Sequence, residues 1–447
     1  MTIKLCFVLF IVGAVAVLSL LGDTFSIFPV FLICLLICNY VAVKFYKEIR
    51  FLAVGSYLFY SISGTIAYTT YLFYCGNTFA PYHDDSYYFL NIQNFIQTFS
   101  ITKKTGYEIF LALIAYPFSF LFEIKHVQLL PINWLLGSLV VSEAVKFANK
   151  VVPVNGKKNL YIGGCFILLN SSFIDGVIHL YRDPLMCFLL IKSFSNIYDS
   201  KLLKGFVYSV FTASIRTANG FIAILYLFIV KLTLIFGLKK RGIIFFSLSF
   251  AILFLLSVNF INLKYLRSFY DDEDIKIAVS ERIIQFRNEE NSDGGVMSLL
   301  RSNNPLLKAL AVPFYMVSPL KVRNFNVVED YNERDHETRQ IVRFRINSIW
   351  ECLSVSFYSF YLCYLFMGLY YWASDINPKN AALFIIFVMM LLSVTYISMQ
   401  ARHKMMFIMF FPILFNYCKS RIPVKKYHIL NIASFSALFF IALYNFL

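Results

Sequence analysis

The sequence predicts an all-α polytopic membrane protein with 11–14 transmembrane helices, one large external loop and an interfacial amphipathic helix. Three observations predict it. The 447 residues are 59% hydrophobic and only 15% charged, where soluble domains carry roughly 45–50% and about 25%. Fifty Phe and thirty Tyr exceed what a water-soluble core of this size can hide. The apolar stretches are continuous and helix-length, whereas a β-barrel alternates over strands of about ten residues. Composition thus excludes a soluble enzyme, a disordered chain and a disulfide scaffold.

Apolar runs lie near 5–22, 27–45, 51–74, 107–123, 128–147, 159–178, 184–198, 204–215, 219–237, 242–262, 349–372, 381–399, 404–418 and 429–446. A span needs about 20 residues, so the shorter runs are tilted, broken or re-entrant. Lys4 and the run to Leu21 read as a retained first span, because no small-x-small cleavage site follows. The nine cysteines fall mostly inside apolar runs and show no zinc spacing, so neither a metal nor a disulfide is expected.

The net charge of +15 points first to positive-inside loops, not to nucleic acid. Basic clusters stand at 44–50, at Lys146, Lys150, Lys157 and Lys158, at Lys201 and Lys204, at 239–241, and at Lys419, Arg421, Lys425 and Lys426. Counting spans puts nearly all of them on one face, expected to be cytoplasmic. One conflict stands: 107–147 resembles two spans, while the charge rule wants an odd number there.

The opposite face then receives His83-Asp84-Asp85, the turn from His179 to Pro184, Arg216-Thr217, the segment 263–347 and Arg402-His403-Lys404. After Asp85 the pattern is helical, with Phe89, Ile92, Ile96 and Phe99 on one face and Asn91, Asn94 and Gln97 off it. A carboxylate held there can take a proton from a sugar hydroxyl or bind a divalent cation beside a lipid phosphate. An Asx cap at the helix start explains the pair in simpler terms. Asp183 before Pro184 is a helix-start signal that leaves Arg182 and His179 unexplained. Arg216 sits between apolar runs with no acidic residue near it in sequence.

The segment 263–347 holds 13 of the 25 acidic residues and nine arginines. Its apolar part, 306–320, reads as an interfacial piece, and Arg339 and Arg343 share a helix face leading into the next span. The chain divides into a bundle over 1–262 with an acidic loop at 75–106, the loop 263–347, and C-terminal helices over 348–447. Several arginines at a membrane edge suit a phosphate or pyrophosphate attached to a lipid. No nucleotide-binding or hydrolase fingerprint is present, and no cofactor is expected.

The Asp84-Asp85 loop with Tyr88 behind it, the Arg182-Asp183-Pro184 turn, the stretch from Arg402 to Pro412 and the long loop in the second half together resemble Wzy-type O-antigen and capsule polymerases. The acidic loop also resembles, more loosely, GT-C glycosyltransferases. The resemblance implies an enzyme of the bacterial inner membrane whose active site and large loop are periplasmic. It implies transfer of a growing glycan from undecaprenyl pyrophosphate to an incoming lipid-linked repeat unit, with a chain-length regulator protein as partner. It assigns the pyrophosphate to Arg182, Arg216, Arg402, Arg343 and Arg345, and catalysis or acceptor positioning to Asp84, Asp85, His403 and His336. A GT-C enzyme using a polyprenyl-phosphate sugar, an O-antigen ligase and a lipid-linked oligosaccharide flippase are the competing expectations; the long loop speaks against the flippase.

Overall fold

A computed structural model describes residues 2–21, 26–76, 78–79, 83–100, 105–236, 242, 305–317, 322, 335–394, 404–423 and 426–446. The chain is all-helical throughout those residues and is a polytopic membrane protein. Its helices are α1 (Thr2–Leu21), α2 (Ile27–Phe45), α3 (Arg50–Cys75), α4 (His83–Thr98), α5 (Gly106–Ser119), α6 (His126–Val151), α7 (Lys157–Leu168), α8 (Ser171–Ile178), α9 (Asp183–Tyr198), α10 (Leu202–Ile215) and α11 (Thr217–Phe236). After the undescribed stretch come α12 (Pro305–Val317), α13 (Asp335–Ala373), α14 (Pro378–Ser393), α15 (Met405–Ile408), α16 (Phe411–Arg421) and α17 (Tyr427–Phe446).

Among the described residues, six helices are long and apolar enough to cross a membrane, and seven if one bent pair counts as a span. The expected 11–14 crossings counted every apolar run. Several of those runs fold as shorter helices, such as α5 and α14 of 14 and 16 residues. At 1.5 Å per residue these reach about 21–24 Å, short of a hydrocarbon core of about 30 Å. The run at 242–262 and most of 263–334 lie outside the described residues.

Helix α6 is the centre of the bundle: 89% of its spanning window is buried inside the protein, against 6% for α17 at the edge. A helix hydrophobic all round belongs in a core, whereas one facing lipid needs only one packed stripe. Around α6 stand α2, α3, α7 and α9. The bent pair is α7 and α8, which meet at 69°. Asn170 makes the break. Its side chain accepts from the Phe173 N–H at 3.0 Å, capping α8, and donates to the Tyr358 hydroxyl at 3.2 Å.

Side-chain contacts settle the path between α3 and α6. Tyr88 meets Tyr107, Asn91 bonds Glu108, and Phe99 meets Tyr116. Helices α4 and α5 therefore run side by side in the same direction, and both begin at the end where α6 begins. The stretch 107–147 thus contains one crossing, α6, as the charge rule requires. Phe99, expected on the apolar face, instead leaves the helix at φ 53° and is exposed. The buried face of α4 is Asp85, Tyr88, Phe89, Ile92 and Phe95.

The basic residues gather at the other end. Lys44, Lys47 and Lys146 border one cavity. Lys150 and Lys201 both reach Asp199, at 2.8 and 3.7 Å. Arg421 borders the groove at Pro153 and Asp375. Deeper in, Glu143 accepts from Lys192 and from the Tyr46 hydroxyl, both at 2.7 Å. A buried carboxylate is tolerable only when so paired.

Two contacts are sensitive to substitution. A Cβ at Gly368 of α13 would stand 2.0 Å from the Leu414 carbonyl oxygen of α16. Gly368→Ala forces those helices apart, and an unfolding midpoint in detergent records a loss of about 1–3 kcal/mol. In the α13–α14 turn, Asp375 accepts from Tyr417 at 2.6 Å, Asn380 at 2.8 Å and the Asn377 N–H at 2.9 Å. Burial alone pushes its carboxyl up, but these hydrogen bonds, with Arg421 nearby, outweigh it and hold the carboxyl below its usual range. Its stabilisation is present above the ordinary carboxylate pKa and is lost as pH falls through the depressed native one. Asp375→Asn is therefore less stable than wild type at neutral pH, by about 1–3 kcal/mol. It loses less stability on acidification, which thermal unfolding across pH tests.

Candidate functional site

The end opposite the lysines is where α3 stops, α4, α5 and α6 start, and α8–α9 and α10–α11 turn over. These termini cluster because α3, α8 and α10 climb toward this end while α6, α9 and α11 leave it. Polar side chains at their tips are thereby brought together from sequence positions more than a hundred residues apart.

Asp85 is the first anchor. It is fully buried and lies in the first turn of α4. Its Oδ1 accepts from the Leu180 N–H at 2.8 Å and from His126 Nε2 at 3.0 Å. An ionised carboxylate only accepts, so Nε2 carries the proton of His126. The ring is held between Phe79, 4.5 Å away centre to centre, and Phe89 at 5.8 Å.

The α8–α9 turn is held from three sides. Asn133 Nδ2, two turns into α6, donates to the carbonyls of His179 at 2.6 Å and Tyr181 at 2.9 Å. Its Oδ1 accepts from the Tyr107 hydroxyl at 3.1 Å. All of that amide's hydrogen-bonding atoms are thus used, as burial in an apolar bundle demands. His179 Nδ1 stands 2.8 Å from the Asp175 carbonyl, and its Nε2 stands 3.1 Å from the Tyr71 hydroxyl. A neutral ring with the proton on Nδ1 satisfies both. The Asp175 carboxylate is 3.3 Å from the same nitrogen.

Two arginines complete the cluster, on the neighbouring turns. Arg182 directs Nη1 toward the Ile215 carbonyl at 3.5 Å, at the C-terminus of α10. Arg216 directs Nη1 toward Asp183 Oδ1, also at 3.5 Å. Both contacts are long for charge-assisted hydrogen bonds of about 2.7–2.9 Å. Both side chains are half-buried. A guanidinium is planar and carries five donors in a fork that matches an anion. Beside them Glu108 accepts from Asn91 at 2.6 Å and from the Thr105 hydroxyl at 2.7 Å, closing the α5 capping box.

The structure brings Asp85, Arg182, Asp183 and Arg216 to one end, with Asp84 half-buried on the same turn as Asp85. It changes the reading of three of them. The Oδ1 of Asp85 goes to α6 and to the α8–α9 turn. Arg216 has an acidic partner after all, supplied by tertiary contact. Asp183 lies within the first turn of α9, one position inside the boundary that a cap would occupy, and Pro184 follows it. Arg343, Arg345 and His336 belong to the first turns of α13, whose backbone runs antiparallel to α3 and so begins toward the site end. Their side chains are outside the described set, and Arg402 and His403 lie outside the described residues. Lys404 next to them is buried, with its ammonium 4.1 Å from the centre of the Tyr315 ring.

Sequence reading missed His126, Asn133, Tyr71 and Asp175. A signal existed for two: Asn133 and Asp175 interrupt apolar helical runs, where a polar side chain costs free energy unless bonded. Nothing in sequence pairs His126 with Asp85, because 40 residues lie between them, including most of α4 and all of α5, and their path is set by tertiary packing.

Removing the Asp85 carboxylate strands the Leu180 N–H and the His126 ring. Asp85→Ala therefore costs about 1–3 kcal/mol, and Asp85→Asn, which keeps an acceptor, costs less. Thermal unfolding of the purified variants in one detergent checks the order.

No protein-family model matches the chain, and no curated protein is similar to it in sequence.

Proposed function

We propose that the chain is a glycosyltransferase of the inner membrane that polymerises oligosaccharide repeat units carried on undecaprenyl pyrophosphate. The observation that carries the reading is the pairing of Arg182 and Arg216 on adjacent helix turns, half-buried, at the end away from the lysine clusters. Positive-inside sorting does not account for arginines there. A lipid-linked pyrophosphate does, because its anion sits at the membrane edge while its tail stays in the bilayer.

In this reading the acceptor sugar's hydroxyl attacks the anomeric carbon of the donor glycan. The bond from that carbon to the pyrophosphate oxygen breaks, and the pyrophosphate leaves with the electron pair. Arg182 and Arg216 take up the developing negative charge, and fixed donors help most where charge appears during reaction. The hydroxyl proton goes to a base. Asp85 is enclosed and already accepts two hydrogen bonds, so it serves as the anchor that fixes the α8–α9 turn bearing Arg182. Asp84, with part of its side chain open to solvent, is the carboxylate assigned to the acceptor.

Deleting the gene and running the surface polysaccharide on a gel tests the reaction. The expected result is collapse of the ladder to a single repeat unit. Loss of even that unit overturns the reading in favour of a flippase, a ligase or an earlier transferase. On complementation, Arg216→Ala lowers chain extension about a hundredfold, and Arg216→Lys, which keeps charge but not the planar fork, restores part of it.

A further inference from the structure

The lysine end carries a basic cavity that the glycan reading does not use. Where α2 gives way to a short 3₁₀ turn (Lys47–Ile49), the chain folds back toward α6 and encloses a cavity of about 270 Å³. Lys44, Lys47 and Lys146 border it with Asn149, over a floor that includes Ile49 and Leu160. The carboxylate on its wall, Glu48, forms no ion pair with any of the three among the described contacts. The nearest buried carboxylate, Glu143, is already taken by Tyr46 and Lys192. Tyr46 screens it from the cavity, and Lys146 rests 5.5 Å from the centre of that ring.

Elsewhere on this end some lysines have fixed partners. Lys150 and Lys201 share Asp199, and Lys379 donates to the Tyr198 carbonyl and the Ser200 hydroxyl. Among the described contacts the three at the cavity form no ion pair: Lys44 and Lys146 meet rings, and Lys44 stands 3.4 Å from the Tyr40 hydroxyl. Three ammonium groups around one concavity repel each other, and an anion relieves that repulsion.

The surroundings indicate which anion. Leu36, Tyr40 and Val43 are 69%, 62% and 41% exposed and form one face of α2. That face runs along the outside of the bundle and ends at Lys44. A chain lying on it delivers its head to the three lysines. We propose that this cavity binds the phosphate headgroup of a membrane lipid whose hydrocarbon tail runs along the Leu36–Tyr40–Val43 face of α2. A phosphate monoester fits best, because its charge of about −2 balances three lysines less Glu48 and it presents oxygens on several sides.

The test is native mass spectrometry of the full chain released from detergent containing dioleoyl phosphatidate, with dioleoylglycerol as the comparison lacking phosphate. Wild type is expected to retain one phosphatidate and no dioleoylglycerol. The double variant Lys47→Gln with Lys146→Gln is expected to bind phosphatidate about thirtyfold more weakly. Lys201→Gln with Lys204→Gln, on the same end but outside the cavity, is expected to leave it unchanged. Lys47→Arg with Lys146→Arg is expected to restore binding, which separates loss of charge from misfolding. Equal losses in both glutamine pairs overturn the proposal, since they mean diffuse surface attraction. Displacement by millimolar inorganic phosphate also overturns it, because the ligand is then the free ion and the α2 face is irrelevant.

Discussion

The fold depends on a single helix that must be satisfied on every side. Helix α6 is apolar enough to cross a membrane yet is enclosed by protein, so its few polar groups have no lipid headgroup or water to turn to. Asn133 near one end and Glu143 near the other meet that demand in opposite ways. Asn133 consumes the carbonyls of a turn, and Glu143 consumes a lysine and a tyrosine from two other helices. Each anchor therefore positions neighbouring elements: the α8–α9 turn above, and α9 and the end of α2 below. Apolar packing fills the space between, and these two residues fix the register.

The two ends of the bundle handle charge differently, and the difference follows from side-chain chemistry. The lysine end carries flexible ammonium groups, several of them satisfied by single carboxylates or carbonyls. The opposite end carries arginines on the helix turns, Arg182 directed toward the Ile215 carbonyl and Arg216 toward Asp183. The planar fork of a guanidinium suits a group that must meet an anion repeatedly and release it. The enclosed Asp85–His126 pair stabilises the scaffold beneath, so the exposed groups need not carry structural load.

The broken elements of the fold lie where the polar groups need room. Asn170 ends α7 and restarts α8 at a steep angle, which brings His179 and Arg182 over α6 instead of past it. Helices α4 and α5 lie parallel, and after each the chain returns to the end from which it started. Their tips deliver Asp85 and Glu108 beside the turns. Continuous spans across these segments would have carried those residues to opposite ends of the bundle.

Composition and run length by themselves determined that the chain crosses a membrane as helices, since water cannot solvate this much apolar surface. The spacing of lysines determined which helix ends lie together, because each crossing reverses the end at which a loop emerges. The sequence also placed Asp85, Arg182 and Arg216 on one end. What each of them does there was decided by tertiary structure alone. Asp85 reads in sequence as a helix cap or a base, and only the approach of Leu180 and His126 makes it an anchor. Arg216 reads as solitary until Asp183, 33 residues away, is folded against it. A run of apolar residues likewise does not say whether it crosses or turns back, because that depends on what its neighbours leave uncovered. Local sequence fixes what a residue can do, and only the fold sets the distance, burial and partner that select one role.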